Sequence, residues 1–261
     1  MLFLISFILS TIFSALGFLK FIYFITLGYG FSIAAIGLFL LTQKNLTLDE
    51  IIYGLLLVAY GLRLGGFLLY REFKIHSYNK KMGGKLKPSK EMKFFVQVII
   101  WISCALLYSC ESSPLIFRIL SSEKEKTFSY IGIIISILGL ALEIKADNEK
   151  NNAKKINPNR FVDTGLYKIV RCPNYFGEMI FWSGIFIGGI KIYDGFLQWF
   201  ISLLGYIVII YIMFSGARRI EISQNQSYGK DPEFQKYIKI TPILIPFVPL
   251  YSIEKYYWLR G

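Results

Sequence analysis

Charge is scarce in this chain. Asp, Glu, Lys and Arg make up 18% of its 261 residues, well under the share of about a quarter that soluble domains carry. Histidine occurs once, as His76, with no companion for a zinc site, so no metal is expected. The three cysteines offer neither a disulfide framework nor a metal spacing: Cys104 and Cys110 share one predicted helix, and Cys172 lies in a loop. No Gly-x-Gly-x-x-Gly or phosphate-loop pattern occurs, and no internal repeat. No basic patch is interleaved with a soluble recognition module, so nucleic acid is not an expected partner.

Apolar residues are what the chain has instead. They form 54% of it, with 17% aromatic, in runs too long and too numerous for the buried helices of a globular core. The expected fold is all-α, a polytopic membrane protein with spans at about 2–19, 22–41, 51–70, 94–110, 128–144, 176–192 and 196–216. That is seven spans, with six or eight as alternatives, because residues 1–42 are nearly continuous in apolarity. The first run reads as a span rather than a secretory leader, since no Lys or Arg precedes it and no small-x-small cleavage site follows.

Charge placement orients these spans. Of 29 Lys and Arg residues, eight lie in 71–93, seven in 145–171 and seven in 218–260. A seven-span chain puts all three segments on one side, and the positive-inside rule makes that side cytosolic, with the C-terminus inside and the N-terminus outside. Membrane orientation thus accounts for most of the net charge of +12. Which membrane holds the protein is not legible. The expected partners are membrane lipids and a hydrophobic small molecule, with no obligate protein partner.

Two of the basic segments carry unusual polar residues. In Glu143 to Glu178, EIKADNEKNNAKKINPNRFVDTGLYKIVRCPNYFGE, Glu143 and Asp147 are four apart and share a helix face. The stretch IVRCPNYFGE places Arg171, Asn174, Tyr175 and Glu178 at a helix start marked by Pro173. A guanidinium there presents planar donors to phosphate oxygens beside amides that also favour anions; the competing reading is an anchor to lipid headgroups. Asn174 and Tyr175 suit a heterocycle or ribose, or a cap and an interfacial ring. Glu178 stands in the first turn of an apolar helix, where a carboxylate needs a partner, a cavity or the helix dipole. In Ser215 to Trp258, Arg218, Arg219, Tyr228, Asp231, Phe234 and Tyr237 precede ITPILIPFVPL, whose prolines 242, 246 and 249 forbid an ordinary span. This tail is expected to fold back over whatever the earlier loop holds.

FVDTGLYKIVRCPNYFGEMIFWSGIFI resembles the signature of the DUF1295 membrane proteins, relatives of the C-terminal region of steroid 5-alpha-reductases. The resemblance extends to YGLRLGGFLLYREF before it and YGKDPEFQKYIKITPILIPFVPL after it. It implies membrane helices at 1–50, a reductase-like membrane domain at 51–261 and a cofactor region at 143–261. It also implies an NADPH-dependent oxidoreductase of lipid metabolism that reduces an activated carbon–carbon double bond of a lipid, sterol or enone-like substrate. The cofactor contacts it implies are Glu143, Asp147, Arg171, Asn174, Tyr175, Glu178, Arg218 or Arg219, Tyr228 and Asp231. Tyr60, Arg63 and Arg71 are candidates for lining a substrate cavity, or for helix pairing and snorkelling.

The chain departs from the family pattern in two places. Cys172 replaces the motif's histidine, and Lys168 replaces a neighbouring arginine. The Glu and Tyr that act on the ketone in characterised steroid reductases have no assignable counterpart, so the catalytic acid is unassigned. An S-adenosylmethionine-dependent methyltransferase is the alternative, since the isoprenylcysteine carboxyl methyltransferases use a similar R-H-P-x-Y-x-G element. A non-catalytic lipid-binding protein is the third reading.

Overall fold

The computed structural model describes residues 1–74 and 93–259, with 71–74 described by backbone alone. The basic segment 71–93, His76 included, therefore lies almost wholly outside the described residues. Among these residues the chain forms nine α-helices and no strand. They are α1 (Leu2–Ser14), α2 (Leu27–Leu41), α3 (Leu48–Lys74), α4 (Phe94–Glu111), α5 (Ser113–Leu120), α6 (Thr127–Ile156), α7 (Pro173–Ile187), α8 (Gly195–Tyr228) and α9 (Pro232–Ile240).

Among the described residues, five stretches are long and apolar enough to cross a bilayer: Phe21–Leu41, Leu48–Tyr70, Phe94–Glu111, Thr127–Ile156 and Gly195–Tyr228. The protein is a polytopic helical membrane protein, but the other two of the seven expected spans fall short. Leu2–Phe18 is apolar and too short. Helix α7 has 15 residues, about 22 Å at 1.5 Å per residue, against a hydrocarbon core of about 30 Å. The apolar run continues past Ile187, yet the helix does not. Gly188 and Gly189 follow, and tight turns close there through Gly189 N to Phe186 O (3.1 Å) and Ile192 N to Gly189 O (2.9 Å).

Two compact units divide the chain, Met1–Ile133 with Ile185–Tyr206, and Ile134–Gly184 with Ile207–Gly261. In the first, α2 and α3 cross through glycines. A Cβ on Gly61 would lie 2.3 Å from Gly30 O, so only hydrogen fits at that contact. At the start of helix α3 Glu50 reaches back, its Oε2 accepting the Thr47 N–H at 2.8 Å, the carboxylate half of a capping box. Beside it Asp49 is buried, accepting from Arg118 Nε (2.6 Å) and Ser129 Oγ (2.6 Å). Arg118, itself buried, also donates to the Gly188 and Glu125 carbonyls. The buried charges of Asp49 and Arg118 are thus paired and hydrogen-bonded, as a low-dielectric interior requires.

The second unit is organised by a crossing of α6 and α7. A Cβ on Gly139 would sit 2.4 Å from Phe181 N, and one on Gly177 2.8 Å from Glu143 N. Ser136 Oγ donates to Phe181 O at 3.0 Å across the same contact. The backbones therefore touch, which fixes the depth of Glu143 on one helix and of Glu178 on the other. Helix α9 begins at Asp231, whose side chain accepts the Glu233 N–H, with Pro232 in the first turn.

Candidate functional site

The loop between α6 and α7 is shaped by its own sequence. Gly165 has φ +59°, and a Cβ there would fall 2.3 Å from Glu149 Oε2. Glu149 takes that space and accepts the Leu166 N–H at 2.7 Å, which tightens the chain into the 3-10 turn Gly165–Lys168. Lys154, at the end of α6, ties the start of the loop by donating to the carbonyls of Pro158 and Arg160 and to Tyr228 Oη. Its place in LysLysIleAsnPro reads as a solvated loop; the structure makes it a half-buried tether.

The loop ends where the tail returns to it. Arg171 N donates to Pro242 O (2.9 Å) and Cys172 N to Ile243 O (3.0 Å). Tyr237 Oη adds a bond to Tyr167 O at 2.7 Å. The stretch after α9 thus covers the Arg171 loop through backbone bonds that prolines 242, 246 and 249 leave intact, because each of these donors belongs to another residue.

Arg171 is fully buried, and its guanidinium is only partly satisfied. Nη2 donates to Glu221 Oε1 (3.2 Å) and to Tyr251 O (2.5 Å), while Nε and Nη1 have no hydrogen-bond partner. Glu221 accepts the Ile253 N–H on its other oxygen at 2.9 Å. The Tyr167 hydroxyl is also buried without a partner, and Gln224 Oε1 and Asn225 Oδ1 are unmet acceptors one turn of α8 beyond Glu221. Each unmet buried donor or acceptor costs free energy unless a polar group meets it. Burial holds the Tyr167 hydroxyl above its ordinary pKa, and the nearby Asp147 carboxylate pushes the same way.

Cys172 explains its own departure from the family pattern. It is buried with Ala217, Ile243, Leu244, Ile253 and Leu259. Burial pushes its thiol up to about 11, with Lys150 and Arg171 pulling partly back. At neutral pH the position is a small neutral core residue.

The other residues singled out fall into place as follows. Glu143 and Glu178 are buried at the α6–α7 crossing, and Asp147 is half-buried one turn on. Asn174 and Tyr175 are half-buried in the first turn of α7. The Tyr175 ring lies over Gly216 of α8, where a Cβ would be 2.9 Å from Cε2. Of the two arginines, Arg218 is buried, with Nε donating to Glu254 O (3.0 Å), whereas Arg219 is exposed. Tyr228 packs with its ring tilted in an aromatic cluster with Phe161 and Phe234, and Asp231 caps α9. Both belong to the α9 hairpin.

In the first unit, Tyr60 is buried and donates to Tyr29 Oη at 2.9 Å. The Tyr29 ring lies 5.0 Å from that of Tyr108, whose hydroxyl donates to Phe24 O at 2.5 Å. Arg63 stacks on Phe67, 5.9 Å from the ring centre. Arg71 lies on α3, but its side chain is outside the described residues.

Sequence reasoning missed Glu149, Tyr167, Glu221 and the strap Tyr251–Trp258. The strap had a signal. Tyr211, Arg218, Glu221 and Asn225 recur on one face of α8 at spacings of seven, three and four. All four bind the strap, at Trp258 O (2.7 Å), Glu254 O (3.0 Å), Ile253 N (2.9 Å) and Glu254 Oε2 (2.8 Å).

The model of a family described as "Protein of unknown function (DUF1295)" matches residues 10–241. "Steroid 5-alpha-reductase DET2" of Arabidopsis thaliana is 39% identical over 56 residues, 21% of this chain and 21% of that protein. The match thus spans about a fifth of that curated relative. No solved structure matches the chain.

Proposed function

The chain belongs to the DUF1295 family, and from that premise we propose that it is an NADPH-dependent membrane reductase. Its substrate would be a lipid, sterol or other enone-like molecule carrying an activated carbon–carbon double bond. The observation that carries the reading is Arg171, a buried guanidinium whose Nε and Nη1 are unmet donor nitrogens on either side of an Nη2 held by Glu221 and Tyr251. The short identity with a steroid 5-alpha-reductase supports the reaction class.

The residues present fit a dinucleotide. A nucleotide brings phosphate and ribose oxygens for the donors of Arg171 and Tyr167, and amino or hydroxyl donors for the acceptors of Gln224 and Asn225. Glu143, Asp147, Asn174, Tyr175, Glu178 and Arg218 would complete the surroundings. Arg219, exposed, and Tyr228 and Asp231, engaged in the α9 hairpin, would have outer roles. When bound, the cofactor would supply hydride to the distal carbon of a polarised alkene. Arg171 would hold its anionic portion in a fixed orientation, since Nη2 is already tied on two sides. Cys172, neutral and buried, would help keep water from that cation. The cytosolic placement of the basic segments and of the Arg171 loop belongs to the same proposal, because NADPH is a cytosolic reductant and the charge bias points that way.

The test is a binding panel on protein in nanodiscs. NADPH should bind more tightly than NADH, because the basic loop meets an extra phosphate. S-adenosylmethionine and S-adenosylhomocysteine serve as comparators. Binding of either sulfur cofactor without any response to nicotinamide nucleotides would replace the reductase with a methyltransferase. Silence from every nucleotide, with the protein folded, would favour a lipid-binding protein.

A further inference from the structure

The tail after α9 has two faces. Ile243, Leu244, Ile253 and Leu259 are buried against Ala217 and Cys172, with Ile245, Leu250 and Tyr256 packed beside them. Phe247, in contrast, is 96% exposed, and Tyr257 and Trp258 are each 67% exposed. Phe247 is the tip of a proline-flanked turn closed by Ile243 N to Leu250 O (2.9 Å) and Leu250 N to Val248 O (2.7 Å). Its φ is +63°, a left-handed conformation that a bulky side chain rarely adopts. The fold thus holds an aromatic ring outward, in a strained backbone, on a turn whose two shoulders are fixed in the core. Nothing in the packing of the turn itself calls for that ring.

The tail also has a definite position along a membrane span. Arg218 binds Glu254 O and Tyr211 binds Trp258 O. Between those contacts the strap travels seven residues of α8, about 10 Å at 1.5 Å per residue. It travels towards the apolar part of the span Gly195–Tyr228, where Tyr211 lies within IVIIYIMF. Trp258 therefore has its backbone beside the hydrophobic stretch of a membrane helix and its indole exposed. Exposed Lys255 sits within the strap, and exposed Lys239 precedes the turn on α9.

We propose that residues 245–258 form an interfacial membrane anchor, with Phe247, Tyr257 and Trp258 seated at the headgroup level of an anionic bilayer and Lys239 and Lys255 meeting lipid phosphates. Aromatic rings with polar edges favour that level, and lysines beside them gain from anionic lipid. Insertion of this kind reaches about 5–10 Å into the headgroup and acyl boundary. The strap that bonds to Arg171 and Glu221 would then be held from outside by lipid as well as from inside by α8.

The test needs no cofactor. Phe247→Cys in the full chain takes an environment-sensitive fluorophore, because Cys104, Cys110 and Cys172 are all buried. The protein is reconstituted into phosphatidylcholine–phosphatidylglycerol vesicles with or without doxyl-labelled phosphatidylcholine. The anchor predicts blue-shifted emission, shielding from aqueous iodide, and roughly twofold quenching by the doxyl lipid, as expected for a probe at the interface. Trp258→Cys, labelled in the same way, should agree. Water-like emission open to iodide at both positions would overturn the proposal. So would shielding that vanishes as the protein is diluted in lipid, which would assign the surface to a second copy of the chain.

Discussion

Replacing Glu221 with alanine tests whether the ion pair at the centre of the site governs the unit built around it. Arg171 Nη2 and Glu221 Oε1 are 3.2 Å apart, with side chains 0% and 3% exposed. Removing the carboxylate leaves a buried guanidinium facing only the Tyr251 carbonyl, and such broken pairs typically cost about 3–5 kcal/mol. The Ile253 N–H loses its acceptor as well, a further penalty of roughly 1–3 kcal/mol that overlaps with the first. Glu221→Ala should therefore destabilise the protein by about 3–5 kcal/mol or more.

The double variant Arg171→Leu/Glu221→Leu removes both charges and fills the space with hydrocarbon. It should cost less than the two single leucine changes added together, with a coupling of about 0.5–3 kcal/mol. Denaturant unfolding in one detergent, followed for wild type, Glu221→Ala and the leucine cycle, reads all of these. A Glu221→Ala protein within about 0.5 kcal/mol of wild type, or additivity across the cycle, would refute the reasoning.

Gly177→Ala should cost about 1–3 kcal/mol, because its Cβ meets the backbone at Glu143 N (2.8 Å) and Gly139 O (2.9 Å), neither of which can swing aside. Gly66→Ala, with nothing within 4 Å of the new carbon, should be neutral or stabilising by up to about 1 kcal/mol, measured in the same unfolding assay. Cys172 gives a pH dependence. Its folded pKa of about 11 stands above the ordinary 9.0, so its contribution is full below pH 9 and is lost as pH rises through 11. Thermal midpoints should fall more steeply over that window for wild type than for Cys172→Ser, and parallel curves would remove the titration from the account.

How much of this was legible depended on whether the signal was local. The long apolar runs fixed the helical membrane class, and the five candidate spans lie where composition put them, because hydropathy acts over one helix at a time. Helix α7 was read too long, since Gly188 and Gly189 end it inside an apolar stretch that hydropathy alone cannot divide. Each compact unit joins two separated stretches of chain, an arrangement set by tertiary contacts that no local signal marks. Arg171 stood out from its motif, but Glu221 did not. Its importance comes from contacts 50 and 32 residues away in sequence; the polar spacing on α8 marked a face awaiting partners, but the strap meets it mainly through backbone groups, which do not name the partner segment.

Arg171→Lys tests most directly the proposal that the unmet Nε and Nη1 of Arg171 receive a phosphorylated nicotinamide nucleotide. Lysine keeps a buried positive charge opposite Glu221 while removing the planar fork that carries Nε and Nη1. Fluorescence titration of NADPH into both proteins in nanodiscs should show saturable binding to wild type, weaker for Arg171→Lys by about 1–3 kcal/mol, or roughly 5- to 150-fold. Equal NADPH affinity in the two folded proteins, or no NADPH binding to wild type, would contradict it.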